Sequence, residues 1–182
     1  YKVTGVQTLC SSDLPEETLH CIEWARDKFG KIFTQAPTNA QKLLDEGESF
    51  QPTSQEDTKS LREVVKLLER RPNSFEDCLN YARSKFEKFF NHDIRQLLHV
   101  YPLDSKTKEG APFWSLPKRP PTPVTYDPTN ILHCQFITAM ACLRATVFKI
   151  EIPSKTPRAE DFKRHCGKEA ARFEVPEFVP ND

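Results

Sequence analysis

Seven prolines fall within the 27 residues from Pro102 to Pro128. Proline inside a helix removes a backbone donor and clashes with the preceding turn, and in a central strand it breaks the ladder. The stretch is therefore irregular, and regular structure must lie on either side of it. Structureless loops of that length are uncommon in compact domains and serve as lids, binding loops or linkers. Phe113 and Trp114 in its middle argue against a disordered linker.

The flanking sequence reads as helix. Leu19, Ile22, Phe29 and Phe33 recur at helical spacing between Pro15 and Phe33, with Asp13, Glu16 and Glu17 at the positive end and Trp24 near the middle. A shorter segment from Thr38 to Glu46 is stopped by Gly47, and Phe50 to Thr58 reads as an exposed loop. Ser54 with Asp57 has the spacing of a capping box, ahead of a stripe of Leu61, Val64, Val65 and Leu68 that ends at Pro72. Ser74 and Asp77 repeat that signal, and the stripe from Phe75 runs through Phe86, Phe89 and Phe90 to Leu98, with a bend expected near Asn91. Asn130 to Lys149 is apolar around much of its circumference, as a core helix is. A last helix starts near Ala159 and is expected to end at Gly167, followed by an extended, Pro-marked tail from Phe173 to Pro180. The fold class is mostly α: an irregular helical domain with a long Pro-rich loop, of a length that suits one domain or two lobes.

Composition excludes several functions. The 26 basic and 26 acidic side chains cancel, which removes the basic field that nonspecific binding to nucleic acid or to an anionic membrane needs. The five glycines stand singly, so no dinucleotide-binding or P-loop motif can be written. No run reaches the ~20 apolar residues of a membrane span, and the first residues are no signal peptide. A start at Tyr1 and an end just beyond Pro180 suit a segment of something longer.

Six cysteines without a C-x-x-C favour a reducing, intracellular setting. His-Cys occurs at 20–21, 133–134 and 165–166, but neighbours on a helix diverge by about 100° and the pairs lie far apart, which argues against zinc. Glu76, Asp77, Glu87 and Asp93 stand among Lys and Arg at helical spacing and read as solvated surface. Cys10 alone lies outside every expected helix, in a polar stretch with Ser11 and Ser12 just before a helix start, where the dipole favours a thiolate. Phe113, Trp114, Lys118 and Arg119 form the densest unusual patch, either a loop presenting two cations or aromatics pinning that loop.

Several motifs resemble the second catalytic cysteine half-domain of ubiquitin-activating enzymes. They are Leu9-Cys10-Ser11, Pro15, and the helix His20-Cys21-Ile22-Glu23-Trp24-Ala25-Arg26-Asp27-Lys28-Phe29. Farther on come Ile94 to His99, Tyr101-Pro102-Leu103-Asp104, Gly110-Ala111-Pro112-Phe113-Trp114-Ser115 with Pro117-Lys118-Arg119, then Pro123, Tyr126-Asp127, His133 and Val175-Pro176-Glu177-Phe178. The pattern departs at Thr8, where the family has Pro, at Ser11, where it has Thr, and in a spacer one residue short after Cys10.

The resemblance implies that Cys10 is the catalytic nucleophile. It would take the C-terminus of ubiquitin or a ubiquitin-like protein from its acyl adenylate as a thioester and pass it to a conjugating enzyme. Ser11, Lys118 and Arg119 would support the thiol or the developing oxyanion, and Pro112, Phe113, Trp114 and Pro117, within the loop 102–128, would cap the cysteine at rest. It implies no cofactor on this domain, with ATP and magnesium used by adenylation domains of the same chain, and a place in cytoplasm and nucleus. The rivals are a noncatalytic helical interaction module and a redox-sensing thiol domain.

Overall fold

A computed structural model describes residues 18–47, 54–115 and 118–181. Among them the regular structure is helical, apart from an isolated antiparallel bridge between Lys106 and Pro112. The chain divides into two compact units, residues 1–70 with 114–119, and residues 71–113 with 120–182.

In the first unit, α1 (Thr18–Phe29) passes through a π-helical turn (Gly30–Gln35) directly into α2 (Ala36–Glu46). The sequence suggests two separate helices there. The wider turn carries the helical backbone through Gly30, and Pro37 stands in the first turn of α2, directly after it. Gly47 stops α2 at φ 54°, a conformation that glycine adopts without strain. Helix α3 (Gln55–Glu69) opens with the expected capping box: the Asp57 amide donates to Ser54 Oγ and the Ser54 amide to Asp57 Oδ2, both at 3.0 Å. Ala40 of α2 and Val64 of α3 are buried where these helices meet.

The second unit holds α4 (Phe75–Glu87), a π-helical turn (Lys88–His92), α5 (Asp93–Val100), α6 (Ile131–Phe148) and α7 (Glu160–Ala170). The π-turn stands where the sequence suggests a bend. Helix α6 packs against both α4 and α7, which explains its apolarity. By length and composition it passes for a membrane span, yet Cys134, Ile137, Met140, Ala141 and Ala145 form the core with Cys78, Leu79, Ala82 and Phe86 of α4 and Cys166 and Ala170 of α7. Phe86 is the hub, its ring 4.8 Å from His133, 5.0 Å from Phe90, 5.1 Å from Tyr126 and 5.8 Å from Phe136. Burying such side chains contributes about 1.5–3 kcal/mol each.

Two expectations are corrected here. Glu87 is not solvated surface: only 9% exposed, it holds the guanidinium of Arg83 at 2.7 Å, one turn back on α4. Gly167 does not end α7, which continues to Ala170. Its role is spatial, because a Cβ at 167 would collide with Cys134 Sγ and crowd Cys134 Cβ. Gly167→Ala should therefore destabilise the fold by about 1–3 kcal/mol, as overpacking does. Urea unfolding checks this, and the loss should shrink when Cys134 is also replaced by Ala.

The candidate catalytic cysteine domain and its loop

Cys10 and Ser11 lie outside the described residues, as does Pro117. The rest of the proposed site is the Pro-rich loop, which is built from the helix ends outward. Just beyond α5, Tyr101 stacks on Phe113 with ring centroids 4.4 Å apart and planes 7° from parallel. Between them the chain folds back on itself. The Phe113 amide donates to the Ser105 carbonyl at 2.8 Å, the Thr107 amide to Ala111 at 2.7 Å and the Gly110 amide to Thr107 at 2.9 Å. Gly110 sits at φ 84°, which a side chain would strain. Pro112 is exposed on this turn, and Phe113 is half-buried by its stack.

Trp114 is half-buried, and Trp114–Arg119 group with the first unit, whereas Phe113 and Pro120 belong to the second. Lys118 and Arg119 are both exposed, and the Lys118 amide donates to Ser115 at 2.8 Å.

The outgoing end of the loop is fixed to the second unit. The Val124 amide donates to the Phe90 carbonyl at 2.7 Å, and Asn91 Nδ2 donates to the Val124 carbonyl at 3.4 Å. Tyr126 then donates its hydroxyl to the Gly167 carbonyl at 2.8 Å, with the Arg83 guanidinium 4.5 Å over its ring. Burial pushes the Tyr126 hydroxyl well above the usual phenol range, so it stays a donor. Asp127 accepts from the Thr129 amide and hydroxyl, bonds that hold its carboxyl below the usual range, and its own amide donates to His133 Nδ1 at 3.1 Å. Sequence reasoning passed over Phe90 and Asn91 as anchors and took Tyr126 only as a motif residue. The available signal was an aromatic and an Asn at the break between two helical stripes.

His133 is thereby committed to the loop rather than to a metal, and among the described residues no group of three or more His, Cys, Asp or Glu is placed to hold one. In the second unit an open cleft of about 420 Å³ lies between Glu87, His92 and Arg95 and the tail residues Val175–Phe178. There the Arg95 guanidinium covers the Phe178 ring at 4.6 Å, and Gln96 exchanges two hydrogen bonds with the Asn181 backbone. These contacts dock the tail along α5.

The described cysteines differ sharply. Cys21 is exposed on α1; Cys78, Cys134 and Cys166 are buried, and burial raises all three thiols, Cys166 to about 11.

The chain matches the family described as "Ubiquitin-activating enzyme, SCCH domain" over residues 15–182. It is 41% identical over 173 residues to human ubiquitin-like modifier-activating enzyme 6, covering 92% of this chain and 16% of that protein. To ubiquitin-activating enzyme E1 1 of Candida albicans it is 39% identical over 160 residues, 86% of this chain and 16% of the relative. To ubiquitin-like modifier-activating enzyme 1 of Dictyostelium discoideum it is 36% identical over 180 residues, 97% and 17%. A mostly helical domain with this loop and these matches defines a catalytic cysteine domain. The chain belongs to the SCCH family, the second catalytic cysteine half-domain of ubiquitin-activating enzymes. It spans about one sixth of the length of these relatives.

Two outcomes follow from the thiols. Under limiting iodoacetamide, peptide mass spectrometry should find Cys21 modified at least tenfold faster than Cys78, Cys134 or Cys166. A thiol raised from 9.0 to about 11 binds its proton more tightly when folded. The stability that Cys166 contributes is therefore complete below pH 9 and lost as pH rises through about 11. Urea midpoints should fall across that window, and less so for Cys166→Ala.

Proposed function

We propose that this domain carries the acyl-transfer step of a ubiquitin-activating enzyme, with Cys10 as nucleophile. Its thiolate attacks the carbonyl carbon of the adenylated C-terminus of ubiquitin or a ubiquitin-like protein. A C–S bond forms, the bond to the AMP oxygen breaks, AMP leaves, and the thiol proton is released to solvent. The thioester is then transferred to the cysteine of a conjugating enzyme. The observation that carries this reading is the family match over residues 15–182. The relatives' names supply the modifier class, ubiquitin or a ubiquitin-like modifier.

An acyl adenylate is already activated and AMP is a good leaving group, so the step asks for no Ser-His-Asp arrangement. It benefits from a lowered thiol pKa and from donors to the oxyanion, roles we assign to Ser11, Lys118 and Arg119. The domain needs no cofactor of its own: ATP and magnesium act on the adenylation domains, which prepare the adenylate. Pro112, Phe113, Trp114 and Pro117 cap Cys10 at rest and move aside for acylation. The exposed Lys118 and Arg119 and the grouping of Trp114–Arg119 with the first unit suit that role. We place the reaction in cytoplasm and nucleus.

Grafting residues 1–182 into a full-length activating enzyme in place of its own half-domain tests the reading. With adenylation confirmed by pyrophosphate exchange, a reductant-sensitive ubiquitin adduct should form and vanish with Cys10→Ala. Intact adenylation without an adduct would overturn it in favour of an interaction module. Deleting Ala111 to Pro123 should speed Cys10 alkylation with helix content nearly unchanged, and equal rates would remove the cap.

A further inference from the structure

Residues 174–181 hold no regular structure, yet they are seated within the second unit as an extended peptide is held by a receptor. One side chain serves as anchor. The Phe178 ring is half-buried, with the Arg95 guanidinium of α5 4.6 Å over its centroid and the His92 ring of the π-turn 5.8 Å away. Its neighbours Glu177 and Val179 are exposed. Three residues beyond the ring, Gln96 reads backbone alone: its Nε2 donates to the Asn181 carbonyl at 2.8 Å and its Oε1 accepts from the Asn181 amide at 2.9 Å. A carboxamide that meets both polar groups of one residue makes the paired bonds that a neighbouring strand makes, and it accepts any residue there except proline.

Pro176 and Pro180 flank the anchor, each two residues from it. Proline fixes φ, so the segment is close to its seated shape before it binds and loses little chain entropy on seating. One ring, one backbone clamp and two prolines carry the recognition. The tail does not fill its seat, because the open cleft of about 420 Å³ remains between it and Glu87, His92 and Arg95.

We propose that this face of the π-turn and α5 is a peptide-binding groove, occupied in cis by residues 175–181 and able to take in their place an extended Pro-x-Phe-x-Pro-like segment of a partner protein. The seated tail identifies that occupant, since it displays the chemistry the groove accepts: a ring for Arg95 and His92, and a backbone N–H and C=O for Gln96. The contacts are few and lie at the surface, which suits an affinity on the order of 0.1 mM for a free peptide. A tethered segment experiences an effective concentration on the order of 1 mM, so the tail masks the groove without sealing it.

The test uses the 182-residue chain and a fluorescein-labelled peptide of residues 173–182, followed by fluorescence anisotropy. Phe178→Ala in the chain releases the tail and should raise affinity for the peptide about tenfold over the unsubstituted chain. Asn181→Pro, which removes only the amide that donates to Gln96, should raise it severalfold, and it replaces the first variant if Phe178→Ala lowers helix content by circular dichroism. Binding to the released chain should fall at least tenfold when Arg95 and Gln96 are both replaced by Ala, or when the peptide carries Ala in place of Phe178. No binding to a released chain, equal binding to released and unsubstituted chains, or binding that survives loss of the peptide's ring would each overturn the groove. Sedimentation should show the unsubstituted chain as a monomer. A dimer that Phe178→Ala dissolves would assign the groove to the tail of a second copy and overturn the partner reading.

Discussion

Helices α6 and α7 can approach as they do only because residue 167 has no side chain, and much of the second unit depends on that contact. Cys134 Sγ occupies the space where a Cβ would stand. The Gly167 carbonyl, held there, receives the Tyr126 hydroxyl. Tyr126 in turn lies edge-on to Phe86 and offers its face to Arg83, whose charge is met by Glu87 at the end of α4. Immediately beyond Glu87 the π-turn begins, and it grips Val124. One missing methyl group is thus linked, contact by contact, to the point where the long loop leaves the core.

The same unit buries two guanidinium groups, which an apolar core tolerates only with compensation. Arg83 has a carboxylate at 2.7 Å and an aromatic face; Arg144 lies 3.8 Å from the Tyr81 ring centroid and 4.9 Å from that of Phe148. A guanidinium suits such places because it is weakly hydrated and stacks flat, whereas an ammonium stays strongly solvated. Such a buried pair adds less to stability than to arrangement, since its attraction is largely offset by desolvation. Its effect is to hold the Arg83 guanidinium over the Tyr126 ring, and so to fix the loop exit against α4.

The helical class and nearly every helix could be read from periodicity and capping signals, because an amphipathic stripe and a Ser-x-x-Asp start are local properties of the chain. Those signals place α3, α4 and α6 closely. The errors share one cause. The stretch between Phe33 and Thr38 and the residue Gly167 read as helix breaks, yet a π-turn carries the chain across the first and the close approach of Cys134 explains the second, and both depend on bonding or contacts that periodicity does not encode. Glu87 read as surface for a related reason: its pairing with Arg83, one turn back, is local, but the burial of that pair is a tertiary property that periodicity does not encode. The family and the loop were legible through motif residues, whereas the loop's anchors at Phe90, Asn91 and Tyr126 were not, since they join segments more than 30 residues apart.

A Pro-rich segment lacks many of the donors that would let it bond to itself, so its order has to come from outside. Here it comes from an aromatic stack at the entrance, a tight turn through Gly110 and a bonded exit at Val124. Order supplied from outside in this way separates the loop from a free linker, and the lack of a hydrogen-bond ladder of its own separates it from a rigid helix.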